Sequence, residues 1–214
     1  MFINTSILKK MIKNAYAGGG LSVARLRQKY VIAGDWWCIK VRADAFPAKD
    51  RAAVIEFISE FPQTGEKFTV SASEEKEYGE FNTRWRKMAD EEYVQSVPDR
   101  IVSPIPTCLF LEGTEKMCRM WQGEDKKMFI VPAQVDNLVS SKHIDKKIEM
   151  EPDAPISIIP EAKMSDALYW KNNCCELWVA CARGILDKFD EKQDREKEEA
   201  LEYTNWPKTL KILY

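Results

Sequence analysis

Asp35–Val70, DWWCIKVRADAFPAKDRAAVIEFISEFPQTGEKFTV, holds the plan of the fold in outline. Trp37, Ile39 and Val41 alternate with Cys38, Lys40 and Arg42, the period of two that marks a strand. Phe46-Pro47 then opens a helix, because a proline at the first turn lacks only an N–H that has no helical partner anyway. Val54, Ile55, Phe57, Ile58 and Phe61 recur at helical spacing and are expected to form its buried stripe. Pro62 and Gly65 end the helix, and Lys67–Ala72 reads as the next strand.

Working outward, Thr5 or Ser6 can cap a first helix whose stripe is Ile7, Leu8, Met11, Ile12, Ala15 and Tyr16. Gly18, Gly19 and Gly20 stop it, since consecutive glycines cost too much helix propensity. Leu21–Ile32 and Trp36–Ala43 read as two strands of a hairpin around Gly34-Asp35. On a continuous strand Arg25, Arg27 and Lys29 share a face, so this hairpin is expected to have one apolar and one basic face. Phe81, Trp85, Met88, Ala89 and Tyr93 sit loosely at helical spacing after an acidic loop. Pro98, Pro104 and Pro106 make an extended connector.

The plan then returns: hairpin strands at Cys108–Leu111 and Lys116–Trp121, a third strand at Met128–Val131, and a second proline-opened helix from Val131-Pro132-Ala133 carrying Val135, Leu138 and Val139. Lys147–Met150, Ile156–Ile159, Ala167–Tyr169 and Glu176–Ala182 read as further strands, the last two joined at Asn172-Asn173. From Asp187 the chain is dense in Asp, Glu and Lys and reads as a charged helix, followed by an apolar tail with Trp206. The expectation is an α+β protein of two similar halves of antiparallel hairpins, each packed with a Pro-initiated amphipathic helix, plus a charged C-terminal helix. Its bounds are 1–97 for the first half, 98–107 for the connector, 108–185 for the second half and 186–214 for the charged helix and tail.

Composition narrows the function. The 214 residues are 45% apolar and 31% charged with a net charge of −2, so any nucleic-acid contact must come from a local basic patch. Apolar runs such as Ile156–Ile159 fall far short of the roughly 20 residues that span a bilayer. The opening MFINTSILKK has neither an apolar core nor a small-residue cleavage site, so no signal peptide is expected and the localisation expected is cytoplasmic. Six cysteines without a C-x-x-C pair, and one histidine, His143, leave no usual zinc set; reduced thiols, no metal and no cofactor are expected.

No motif assigns a chemical activity, and the expectation is a non-enzymatic protein without a small-molecule substrate. Arg25, Arg27, Lys29, Lys40 and Arg42 on the hairpin, with Arg84 and Arg86 around Trp85, are the candidates for phosphate contacts. The plainer reading is that the hairpin residues form the polar solvent face of an antiparallel sheet and that Arg84 and Arg86 mark an amphipathic helix with Trp85 inward. Trp36 and Trp206, with Glu191, Glu198 and Glu199 of the charged helix, are the candidates for binding a protein partner with a basic surface. Asp153, Glu161 and Lys163 match the letters of a metal-dependent nuclease triplet, but Pro155 and Pro160 interrupt the strands that would present them.

Two stretches carry a family resemblance. Phe2-Ile3-Asn4 followed by Ile7–Ile12 is similar to the opening strand and helix of bacterial sliding clamps, the processivity factors of DNA polymerases. Phe46–Lys49 through Phe61-Pro62 and Glu66–Val70 resembles the clamp run in which a Pro-Ala turn starts a helix and a strand follows. The likeness covers about a third of the chain, whose length suits only a two-domain clamp. It implies a DNA-transaction accessory protein of clamp-like topology, phage or mobile-element in type, with duplex DNA or a nucleic-acid-handling protein as partner and a homo-oligomer as its assembly. The alternative is a phage anti-defence inhibitor that grips a basic protein through the acidic helix and exposed tryptophans.

Overall fold

The computed structural model describes residues 1–73, 76–81, 84–112, 117–159 and 166–181. The charged segment with Glu191, Glu198, Glu199 and Trp206, and Glu161 and Lys163 of the nuclease-like triplet, lie outside the described residues.

Helix α1, Thr5–Ala17, is capped by Asn4 rather than Thr5 or Ser6: the Asn4 carboxamide oxygen accepts from the N–H groups of Ser6 and Ile7. It buries Leu8, Met11 and Ile12. The glycine stop works through Gly20, at φ +110°, where a Cβ would also stand 2.9 Å from Thr69 Cγ2. Helix α2, Ala48–Ile58, starts after Pro47, which stands at the cap position itself. It buries Asp50, Ala53, Val54 and Ile58; Ile55, expected in the stripe, is instead exposed, because the buried arc is centred one position earlier.

The stretch expected as one strand from Leu21 to Ile32 is two. Strands β1, Leu21–Arg25, and β2, Lys29–Ala33, are joined by a tight turn in which the Leu26 N–H donates to the Lys29 carbonyl. Strand β3, Trp37–Arg42, follows, and β4, Lys67–Val70, and β5, Glu77–Tyr78, come after α2. Later come β6, Ile105–Glu112, β7, Met117–Gln122, β8, Met128–Pro132, β9, Ile156–Ile158, β10, Ala167–Lys171, and β11, Cys175–Ala180. Lys147–Met150, expected as a strand, is turn, with the Ile148 N–H bonded to the Asp145 carbonyl.

The class is α+β with antiparallel pairing throughout. Eight strands form one sheet in the order β5-β4-β1-β2-β3-β11-β10-β9, and β6-β7-β8 form a second. The central seam joins distant parts of the chain: β3 pairs with β11, setting Lys40 opposite Glu176 and Cys38 opposite Trp178. The second proline-opened element, Ala133–Asn137 after Pro132, is a 3-10 turn that buries Val135. The N-terminal residues are stitched to it, with the Asn4 N–H on the Leu138 carbonyl and the Ser140 N–H on the Phe2 carbonyl.

Both faces of the large sheet are buried. One carries Leu21, Val23, Ile32, Trp37, Ile39, Val41 and Leu177 under α1, α2 and the inner side of the small sheet, Trp121, Phe129 and Val131. The other carries Ala24, Leu26, Val31, Cys38, Tyr169 and Trp178 under Phe81, Trp85, Met88 and Ala89. The helical spacing of that covering segment is realised as turns around one 3-10 turn, Arg86–Ala89. The six cysteines are free thiols, five of them buried.

Candidate nucleic-acid interface

The second core changes what the hairpin lysines and arginines can reach. The face expected to be basic and solvated is covered, and Lys40 on it is only 4% exposed. The turn between β1 and β2 also reverses the alternation, so Arg25 and Lys29 lie on opposite faces. Arg25 stacks its guanidinium 4.2 Å from the centre of the Tyr30 ring. Lys29 pairs with Glu176 at 2.8 Å, and Arg42 pairs with Asp44. Arg27 is exposed at the turn apex, where its N–H donates to Glu91 Oε2. Arg84 and Arg86 are exposed beside Trp85, which points into the second core. The hairpin candidates are thus dispersed rather than gathered on one surface. Trp36 is half-buried between the two cores.

A different surface gathers cations. Helix α1 carries Lys9, Lys10 and Lys13 with no acidic residue, and α2 carries Lys49 and Arg51; all five are exposed. The only acidic residues on the two helices are Glu56, exposed, and Asp50, buried. Three contacts hold the helices side by side. Thr5 hydrogen-bonds Asp50, Lys9 Nζ meets Glu56 Oε2 at 2.6 Å, and the Tyr16 and Phe57 rings lie 5.3 Å apart. Lys10, Lys13, Lys49 and Arg51 form no ion pair among the described residues. In a chain of net charge −2, this is a local positive field of the kind that draws in a polyanion.

Asp50 lies beneath that field at the N-terminal end of α2, 2% exposed, with Oδ1 unpartnered. Burial holds its carboxyl above the ordinary range, against the pull of the Thr5 hydrogen bond and the Met1 amino group. The sequence reading missed this face although its signal was present. The charged residues of α1 are all lysine, and α2 opens Ala-Lys-Asp-Arg. Their adjacency is what the sequence does not carry.

Other expected chemistry is scattered. His143 ends an exposed 3-10 turn, and its carbonyl accepts from the Met1 amino group, which also meets Glu149 Oε1 at 2.6 Å. Asp153 lies in the irregular stretch before β9. Among the described residues no group of three His, Cys, Asp or Glu side chains is placed to hold a metal ion, and no helix is long and apolar enough to cross a membrane.

No family model matches the chain, and no curated protein matches it. Among solved structures, the beta chain of DNA polymerase III from Streptococcus pneumoniae aligns over 90% of this chain and 66% of its own, with a TM-score of 0.34 and 8% identity. The likeness is one of fold, and weak. It carries no argument about function, and the chain spans about two thirds of that protein's length. What the chain contacts has to be argued from its own surface.

Proposed function

We propose that the protein is a non-enzymatic accessory factor in DNA transactions that lays its α1–α2 face along duplex DNA. The observation that supports this reading is the set of five exposed cations, Lys9, Lys10, Lys13, Lys49 and Arg51, facing one exposed carboxylate on two helices fastened together. Lysine ammoniums on a rigid helical surface meet phosphate oxygens, and each contact releases condensed counterions. The aromatic side chains of the two helices, Tyr16 and Phe57, pack on each other and partly under the surface, so base stacking has no platform there. Binding through backbone phosphates alone is indifferent to sequence.

The test is fluorescence anisotropy of a short labelled duplex across a salt series. The wild-type protein is expected to bind with a log–log salt slope of about −3 to −4, the value for four phosphate contacts from Lys10, Lys13, Lys49 and Arg51, with Lys9 kept by Glu56. The K10E/K13E/R51E variant should lose binding, whereas R84E/R86E should keep it. Wild-type binding that the helix variant leaves unchanged, or a wild-type protein indifferent to duplex at low salt, overturns the reading.

A further inference from the structure

Lys40 is a buried charge held by a single long hydrogen bond. The residue is 4% exposed, yet its one hydrogen bond is to the Tyr93 carbonyl at 3.5 Å, with the Tyr93 ring centre 5.8 Å away. The carboxylate directly across the strand pair, Glu176, is already engaged at both oxygens. Lys29 Nζ holds Oε1 at 2.8 Å, and the Tyr169 hydroxyl donates to Oε2 at 3.0 Å. A buried ammonium has three N–H donors to satisfy, and leaving them short is among the costlier arrangements a core can contain. An apolar side chain on β3 would avoid that cost.

Tyr93, which covers Lys40, also lines a cleft of about 580 Å³, within the range of small-molecule sites, together with Arg25, Leu26, Lys67, Lys87 and Asp90 among others; Lys40 itself does not reach the cleft wall in this structure. Tyr93 belongs to both features: it lines the cleft, and it screens the ammonium. It sits in a run from Glu91 to Pro104 without helix or strand, and its neighbour Val94 is 82% exposed. The segment is latched by Gln95, whose Oε1 accepts from the Tyr93 hydroxyl at 2.6 Å and from Trp178 Nε1 at 3.2 Å.

We propose that Lys40 is the inner end of a binding site for a small molecule bearing one oxyanion, a carboxylate or a phosphate, and that Tyr93 closes this site in the present structure. The Tyr93 carbonyl then stands where an oxygen of the ligand would sit, and the body of the ligand occupies the cleft. The cleft wall mixes four carboxylates, Glu66, Asp90, Glu91 and Glu92, with three cations, Arg25, Lys67 and Lys87, and so lacks the one-signed track that a nucleic-acid strand needs; this site is separate from the α1–α2 face. Burial holds the Lys40 amine below its ordinary value while Glu176 draws it back up; an arriving oxyanion would favour the charged form further.

Competitive amine labelling read by mass spectrometry tests the gate. Lys40 should be the least reactive described lysine in the wild-type protein and about tenfold more reactive in Tyr93→Ala, as expected when a local opening becomes easier. Inorganic phosphate or acetate, compared with chloride at equal ionic strength, should then protect it. Protection by phosphate alone or by acetate alone identifies the oxyanion, and protection by neither overturns the proposal. A second measurement stands even where Tyr93→Ala fails to fold. One of the two anions should raise the Tm of the wild-type protein by more than that of Lys40→Met, and equal increments in both proteins overturn the site.

Discussion

The two faces of the eight-stranded sheet are made by alternate residues of the same strands, yet they are built on different terms. Leu177 and Trp178 are neighbours on β11 and both are fully buried. Leu177 joins a largely apolar layer under two helices, in which the buried Asp50 carboxyl is hydrogen-bonded by Thr5 and the buried Met1 amino group pairs with Glu149. Trp178 joins a mixed layer in which Lys40, Glu176, Tyr169 and Gln95 are enclosed with the apolar side chains under an irregular segment. The helical face bonds its few buried polar groups to one another, which leaves the cations of its outer surface for a partner. The other face keeps charge inside, which makes it a poorer stabiliser and a better place for a ligand.

The largest effects should come from deleting packing on either face. Trp178→Ala is expected to cost about 3–5 kcal/mol and Leu177→Ala about 2–5 kcal/mol in denaturant unfolding. A Trp178 loss well below the Leu177 loss would show that the second core is loosely packed, and would sharpen the contrast. Next, Glu176→Ala should cost about 2 kcal/mol, since it leaves the Tyr169 hydroxyl unpaired and removes the carboxylate nearest Lys40. A neutral result there would mean that Lys40 is already uncharged in the folded protein.

A smaller effect belongs to Asp50, a buried carboxylate at the start of α2. Its folded-state value is raised by burial, so the stability it contributes is present below its unfolded value of about 3.9 and is lost as pH rises through the folded one. Asp50→Asn, which keeps an acceptor for Thr5, should therefore equal or exceed the wild-type Tm at neutral pH, with the gap closing as pH falls towards 4. A wild-type protein more stable than the variant at neutral pH would contradict that sign. The smallest gain is expected at Ser59, which ends α2 at φ +67°. Ser59→Gly should add about 0.5–1 kcal/mol by relieving a conformation that side chains disfavour.

Much of this architecture was readable from spacing. The α2 start at Pro47, the glycine stop after α1, the hairpin at Gly34-Asp35 and the β10–β11 turn at Asn172 all appear where turn and cap chemistry put them. The candidate surface was not readable. Reading Leu21–Ile32 as one strand put Arg25 and Lys29 on a single face, and the turn at Leu26–Gln28 separates them. Nothing local announces that turn, since it uses neither glycine nor proline.

The sequence by itself determined where α1, α2 and most strands stand, because periods of 2 and 3.6 residues, prolines and glycines act within a few residues of where they stand; it did not determine the break in Leu21–Ile32, the turn at Lys147–Met150 or the shortness of the element after Pro132. It also determined that Lys40 and Cys38 lie opposite Trp37 and Ile39. Only the tertiary structure decided what covers each side. Alternation assigns a residue to a face, but whether that face meets water depends on segments far along the chain: Phe81, Trp85, Met88 and Ala89 laid over one side, and β11 paired with β3. That is why an expected solvent lysine became a buried one, and why the cations that do reach solvent together are those of two helices brought side by side.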